Sequence, residues 1–186
     1  MRSKLMKRIF PLIALFLLLP WPVAYAYDVN VMDGQDTIRI QVAELSARPA
    51  WTAFGRAIGG VTTPGDLFYV DATNNGADIR TTLYLINTQE LVGYYRYMTL
   101  NVGIYVENKE GEWEKASGSD GELISDRFIT MRNGQVDFIL PGYAKYKVTI
   151  DDGVFYCTNA NADEGSLSPR FHLEVDYPVS SIINGR

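Results

Sequence analysis

Apolar side chains fall on every second position through much of this chain. Ile38, Ile40 and Val42 alternate with Thr37, Arg39 and Gln41, and Leu100, Val102, Ile104 and Val106 with Thr99, Asn101, Gly103 and Tyr105. Tyr146, Val148 and Ile150 alternate with Lys145, Lys147 and Thr149, and Phe171, Leu173 and Val175 with His172, Glu174 and Asp176. A period of two gives strands with one face on a core and one in water. Further strands are expected at 67–72, 81–86, 127–131, 135–140 and 154–158. Turn residues punctuate them: Pro64-Gly65, Asn75-Gly76, Asp120-Gly121, Pro141-Gly142 and Asp152-Gly153. Asn133-Gly134 is a two-residue hairpin signal between 130–131 and 136–138. About nine short strands separated by turns predict an all-β domain, an antiparallel β-sandwich of jelly-roll-like form. One short helix is expected near 88–93, with Asn87 and Glu90 at capping-box spacing, and a second helical turn near 50–54.

The first 26 residues break this pattern. Arg2, Lys4, Lys7 and Arg8 stand without an acid before the apolar run 9–19, and Ala24-Tyr25-Ala26 supplies small residues at a peptidase site. This is the grammar of a secretory signal with cleavage after Ala26. The apolar run is about 11 residues, short of the roughly 20 that span a bilayer. Tyr27, not Cys, follows the site, so no lipid anchor is expected. The expected mature chain, 27–186, is one secreted or cell-surface domain without a transmembrane segment.

Losing the leader's four cations takes the formal charge from −5 to −9. That opposes nucleic-acid binding, which needs a basic surface. Cys157 is the single cysteine, so an internal disulfide is excluded, and stability must come from packing or assembly.

Catalytic chemistry is thin. Ser-His-Asp and Cys-His mechanisms need a histidine beside the nucleophile, and His172 is the only histidine. One His and one Cys do not make a zinc site. A carboxylate pair among 22 acids has no distinguishing spacing. The expectation is a protein that is not an enzyme and needs no cofactor. Two oxygen-rich loops suit calcium: Asp71, Thr73 and Asn75 before Gly76, and Asn159, Asn161 and Asp163 before Gly165. The first has Thr82 where a calcium loop places its bidentate Glu, and solvated turns are the plainer reading of both loops. The aromatic run 94–97 suits core packing, subunit contact or stacking on sugars; strict alternation puts Tyr95 and Tyr97 on one face and Tyr94 and Arg96 on the other.

The stretch from Pro64-Gly65-Asp66 through Leu67 to Asn74-Asn75-Gly76 and Ile79 resembles a pattern in TasA/camelysin-type exported proteins. There a Pro-Gly-Asp turn opens a strand that runs into Asn-Asn-Gly before the next. The resemblance covers about 25 residues, 61–85. It implies a jelly-roll-like sandwich that polymerises into biofilm-matrix or pilus-like fibres, the N-terminal strand of one subunit completing the sheet of the next. Some members of that family are described as metallopeptidases, but no zinc-binding helix motif occurs here.

The residues themselves allow such joining. Cleavage after Ala26 frees 27–32, with Tyr27, Val29 and Val31 alternating, before Asp33-Gly34. A free alternating strand adds to an open sheet edge or pairs within its own subunit, and both readings stay open. The expected function is an exported fibre subunit, a homopolymer built by donor-strand exchange. The alternative is a monomeric extracellular binding module for carbohydrate or a surface protein.

Overall fold

A computed structural model describes residues 29–33, 36–49, 51–53, 59–62, 64–124, 127–157 and 169–176. The expected leader, Tyr27 and the loop carrying Asn159, Asn161 and Asp163 lie outside them. The described chain is an all-β sandwich of two antiparallel sheets, built from β1 (Val29–Asp33), β2 (Asp36–Val42), β3 (Trp51–Ala53), β4 (Gly59–Thr62), β5 (Gly65–Asp71), β6 (Ile79–Leu85), β7 (Tyr95–Glu107), β8 (Trp113–Lys115), β9 (Arg127–Thr130), β10 (Gln135–Leu140), β11 (Lys145–Cys157) and β12 (Phe171–Asp176). One helix, α1 (Thr88–Tyr94), links β6 to β7. No helix among the described residues is long and apolar enough to cross a membrane.

The larger sheet is organised on β7 and β11, 13 residues each and about 43 Å long at strand rise. They pair with each other along their length. Beyond β11, β5, β2 and β1 follow at one end and β4 and β3 at the other. Beyond β7 lie β8 and β9. The smaller sheet has the order β10-β6-β12. Nine strands and three make an unequal sandwich, unlike the two four-stranded sheets of an eight-stranded jelly roll. Ile38, Val70, Leu100, Ile104, Val148 and Ile150 of the large sheet and Ile79, Leu83 and Leu140 of the small one are fully buried and share one core.

Bulges change the strict period. Ile150 pairs Val102 and Asp152 pairs Asn101, so Asp151 is an extra residue in β11. Tyr146, Val148 and Ile150 are buried before it, Gly153 and Phe155 after it. One inserted residue exchanges the two faces. That is why the sequence reads as two strands broken at Asp152-Gly153, where the structure has a single strand. Arg96 is the extra residue opposite Tyr156-Cys157. It places Tyr95 in the core, edge-on to Phe155 at 5.3 Å, and leaves Tyr97 exposed. Tyr95 and Tyr97 therefore do not share a face.

Three other expectations are corrected. Residues 51–53 form β3, paired with β4, rather than a helical turn; ladder bonds override a weak local preference. The one 3₁₀ turn among the described residues lies at Leu45–Ala47. Asn133-Gly134 does not close a two-residue hairpin, because β9 belongs to the large sheet and β10 to the small one. Instead the Thr130 N–H donates to Asn133 Oδ1 at 2.7 Å and the Gly134 N–H to the Thr130 carbonyl at 2.9 Å. Gly134 has φ +65°, open to glycine at little cost, and the turn carries the chain from one sheet to the other. The capping box also does not form: Asn87 makes no side-chain cap to α1. Its Oδ1 accepts the Arg170 N–H at 2.8 Å, and Glu90 pairs with the Arg170 guanidinium at 2.5 Å. Both partners serve to dock the segment entering β12.

β1 folds back on β2 within the chain, Val29 opposite Ile40 and Val31 opposite Ile38. Of the two pairings open from the sequence, the single chain forms the internal one. Among the described strands β1 pairs with no other and so ends the sheet.

Candidate functional site

The first calcium loop does not gather its ligands. The Thr73 N–H and hydroxyl both donate to Asp71 Oδ1, at 3.1 and 2.6 Å. Partial burial works against the Asp71 carboxylate, but these Thr73 bonds outweigh it, helped by Lys145 and Arg39, and hold its pKa below the ordinary value. Asn75 is fully buried while Thr73 is exposed. Its Nδ2 donates to the Ala77 carbonyl at 2.7 Å, inside the turn. Asp71, Thr73 and Asn75 thus hold a turn together and face different surroundings. No group of three or more His, Cys, Asp or Glu placed to hold a metal occurs among the described residues.

His172 and Cys157 lie on strands of different sheets. His172 stacks on Tyr84, ring centroids 6.3 Å apart at 29°. The run 94–97 is divided by the Arg96 bulge, so it offers no continuous aromatic platform.

A network on the outer face of the large sheet has a structural role. Gly103 is buried, because Asp151 and Thr149 cover it; a Cβ there would stand 2.1 Å from Asp151 Oδ1 and 2.4 Å from Thr149 Oγ1. Into that space the bulge delivers the Asp151 carboxylate. It accepts the Thr149 hydroxyl at 2.6 Å and the Tyr105 hydroxyl at 3.1 Å, and pairs with Lys115. Beside it Lys147 pairs with Asp66 at 3.3 Å and lies 5.2 Å from the Trp113 ring centroid. Tyr69 donates to Asp66 at 2.6 Å; burial, then that carboxylate, push its phenol up to about 12. Every charge in this belt has a partner, so it reinforces the β5-β11-β7-β8 face.

Partial burial of Asp151 opposes its ionised form, but Lys115 and the two hydroxyls outweigh it and lower its pKa. A carboxyl lowered on folding stabilises the fold above its unfolded pKa of about 3.9, and that contribution fades as pH falls through the folded value. Asp151→Ala is therefore expected to cost about 2 kcal/mol at pH 7, as charged hydrogen bonds do, and to flatten the decline in stability below about pH 4. Urea melts of the two proteins from pH 2 to 7 check this. Parallel pH curves would refute the assignment.

The concave site is elsewhere, on the outer face of the small sheet, and single-strand patterns did not reveal it. Alternation turns Arg80, Thr82 and Tyr84 of β6 away from the core, with Gln135, Asp137 and Ile139 of β10 and His172, Glu174 and Asp176 of β12. Pairing aligns them in three rows: Gln135-Tyr84-His172, Asp137-Thr82-Glu174 and Ile139-Arg80-Asp176. Thr82 donates to Asp137 at 2.8 Å. A hydrogen bond to Glu174 raises the Tyr84 phenol above its ordinary pKa. The loop 118–124 lines a cleft together with members of the last two rows. Bonds from the Gly118 N–H to the Glu122 carbonyl and from the Ile124 N–H to the Ala116 carbonyl, both 2.8 Å, hold this loop. Ser119 ties it to Asp78 at 2.7 Å. This open cleft, of about 710 Å³, is walled by Arg80, Arg127, Asp120, Glu122, Asp137 and Asp176 among others. The polar alternation of β6, β10 and β12 was visible in the sequence; their adjacency was not.

No protein-family model and no curated protein matches the chain.

Proposed function

We propose that the mature chain is an exported structural subunit that joins its own copies end to end by strand exchange. One observation carries the reading: β1 closes the sheet at its margin and, among the described strands, is bonded to β2 alone. Handing β1 to the β2 of the next copy restores the same five residue pairs, Val29–Ile40 to Asp33–Asp36, so only the connection through residues 34–35 has to open. Passed on head to tail rather than returned within a pair, such an exchange is heterologous and builds an open filament where the rotation between copies does not close into a ring. The secretory leader and the likeness around Pro64-Gly65-Asp66 to TasA/camelysin-type fibre proteins support a place outside the cell or on its surface.

A cysteine trap tests the exchange. Asn30 and Arg39 face each other in the ladder, and opposed strand residues suit a disulfide. Asn30→Cys with Arg39→Cys, in a Cys157→Ser background, is expected to give a ladder of disulfide-linked multimers when oxidised after concentration. Removal of 27–33 from the parent chain, without the introduced cysteines, is expected to leave it monomeric by sedimentation at concentrations where the full mature chain assembles. Closed monomers alone at every concentration would sink the proposal.

A further inference from the structure

We propose that the cleft over the β10-β6-β12 sheet, with the Tyr84–His172 ring pair beside it, binds a neutral saccharide chain. Such binding does not depend on strand exchange. The cleft's volume, about 710 Å³, lies within the range of small-ligand sites. Regular sheet and a hydrogen-bonded loop both line it, so the site is built before any ligand arrives.

The chemistry of the walls selects the ligand. Arg80 and Arg127 are donors only, and among the described residues neither belongs to an ion pair. Asp120, Glu122, Asp137 and Asp176 are acceptors only when ionised. Four carboxylates against two guanidiniums repel a phosphate or a polyanion, and among the described residues no three of the carboxylates are placed together to hold a metal ion. A polyol satisfies both sets, because each hydroxyl donates to a carboxylate and accepts from a guanidinium. Row spacing of about 6.7 Å along the strands and about 4.8 Å across them offers such groups at the scale of one pyranose ring. The next row continues the sheet with the Tyr84 ring and, stacked against it, His172. Rings of this kind take the C–H face of a pyranose while their polar ends stay wet.

The test is an NMR titration of the full mature chain with cellohexaose, chitohexaose, maltohexaose and laminarihexaose. Heparin and polylysine are the charged comparisons. At least one hexasaccharide is expected to shift amides of 80–84, 118–124 and 172–176 saturably. Arg80→Gln and His172→Ala, both at exposed positions, are expected to weaken that binding about tenfold, the effect of about 1.4 kcal/mol, with spectra otherwise native. Lys109→Gln, in the remote turn after β7, is expected to change nothing. No saturable shift with any hexasaccharide at about 10 mM, a concentration that reveals even millimolar binding, overturns the proposal. So does preference for heparin or polylysine, or binding that both cleft variants leave unchanged.

Discussion

Gly65→Ala is expected to destabilise the domain by about 3 kcal/mol, roughly 10 °C in melting temperature for a chain of this size. A Cβ at residue 65 would lie 2.2 Å from the Pro49 nitrogen, 2.4 Å from the Arg48 carbonyl carbon and 2.7 Å from the Pro49 Cα. These are main-chain atoms, and they cannot swing aside as a side chain does. The segment they belong to is tied down: the Ala43 N–H bonds the Leu67 carbonyl at 2.9 Å and Arg48 Nε the Ala43 carbonyl at 3.1 Å. Relief of the clash must therefore displace the start of β5 or break these bonds. Gly93→Ala is the comparison. It lies in α1 with nothing within 4 Å of its Cβ position, and helix propensity favours alanine there by up to about 1 kcal/mol. Thermal melts of both variants decide the matter: a Gly65→Ala protein within about 2 °C of the parent would refute the crowding. The result also gives physical content to the Pro64-Gly65-Asp66 turn, whose glycine is required by a crossing chain.

Leu83→Ala is expected to cost about 3–4 kcal/mol, within the range for buried leucines. Leu83 is 0% exposed, at the middle of the central strand of the small sheet, opposite Val136 on one side and Leu173 on the other. The two sheets share no ladder among the described residues, so side-chain packing is the main force holding the small sheet to the large one. A void at Leu83 weakens that interface along its whole width. Ile139→Ala removes a similar side chain from the outer face of the adjacent strand, where it is 49% exposed, and is expected to change stability by no more than about 0.5 kcal/mol. Urea denaturation of the pair, with unchanged dependence on denaturant, measures the difference. Equal losses would mean that the inner and outer faces have been misassigned.

The large contrast between those neighbouring positions was already legible in the alternation. Ile79, Leu83 and Leu85 on one face and Arg80, Thr82 and Tyr84 on the other follow from a period of two, and the structure keeps that division. The same logic placed β2, β10 and β12, whereas the short helix before β7 was expected from a capping-box spacing of Asn87 and Glu90 that the structure does not use. Alternation failed where one residue was inserted. Asp151 and Arg96 are ordinary in local sequence, and nothing within a few residues announces a bulge, because the bulge is defined by the count of residues on the partner strand. The Asn133-Gly134 turn failed for a related reason: turn chemistry specifies a reversal of the chain, but not whether the next strand returns to the same sheet.

The candidate sites divide in the same way. A contiguous motif such as Asp71-Thr73-Asn75 is conspicuous in the sequence, yet burial of Asn75 and capture of Asp71 by Thr73 disperse it. The polar cleft draws Arg80, Asp137 and Asp176 from three strands far apart in the chain, so no window of sequence contains it. Alternation and turn residues together determined the all-β class, the inward and outward faces of most strands and most of the turns between them, because these depend on local backbone preference and on which side chains shun water. The tertiary structure alone decided which strands are neighbours, where a bulge reverses the faces, why Gly65 must lack a side chain and where carboxylates and guanidiniums meet. Each of those depends on atoms distant in sequence, brought together by ladder pairing and by packing of one sheet on the other.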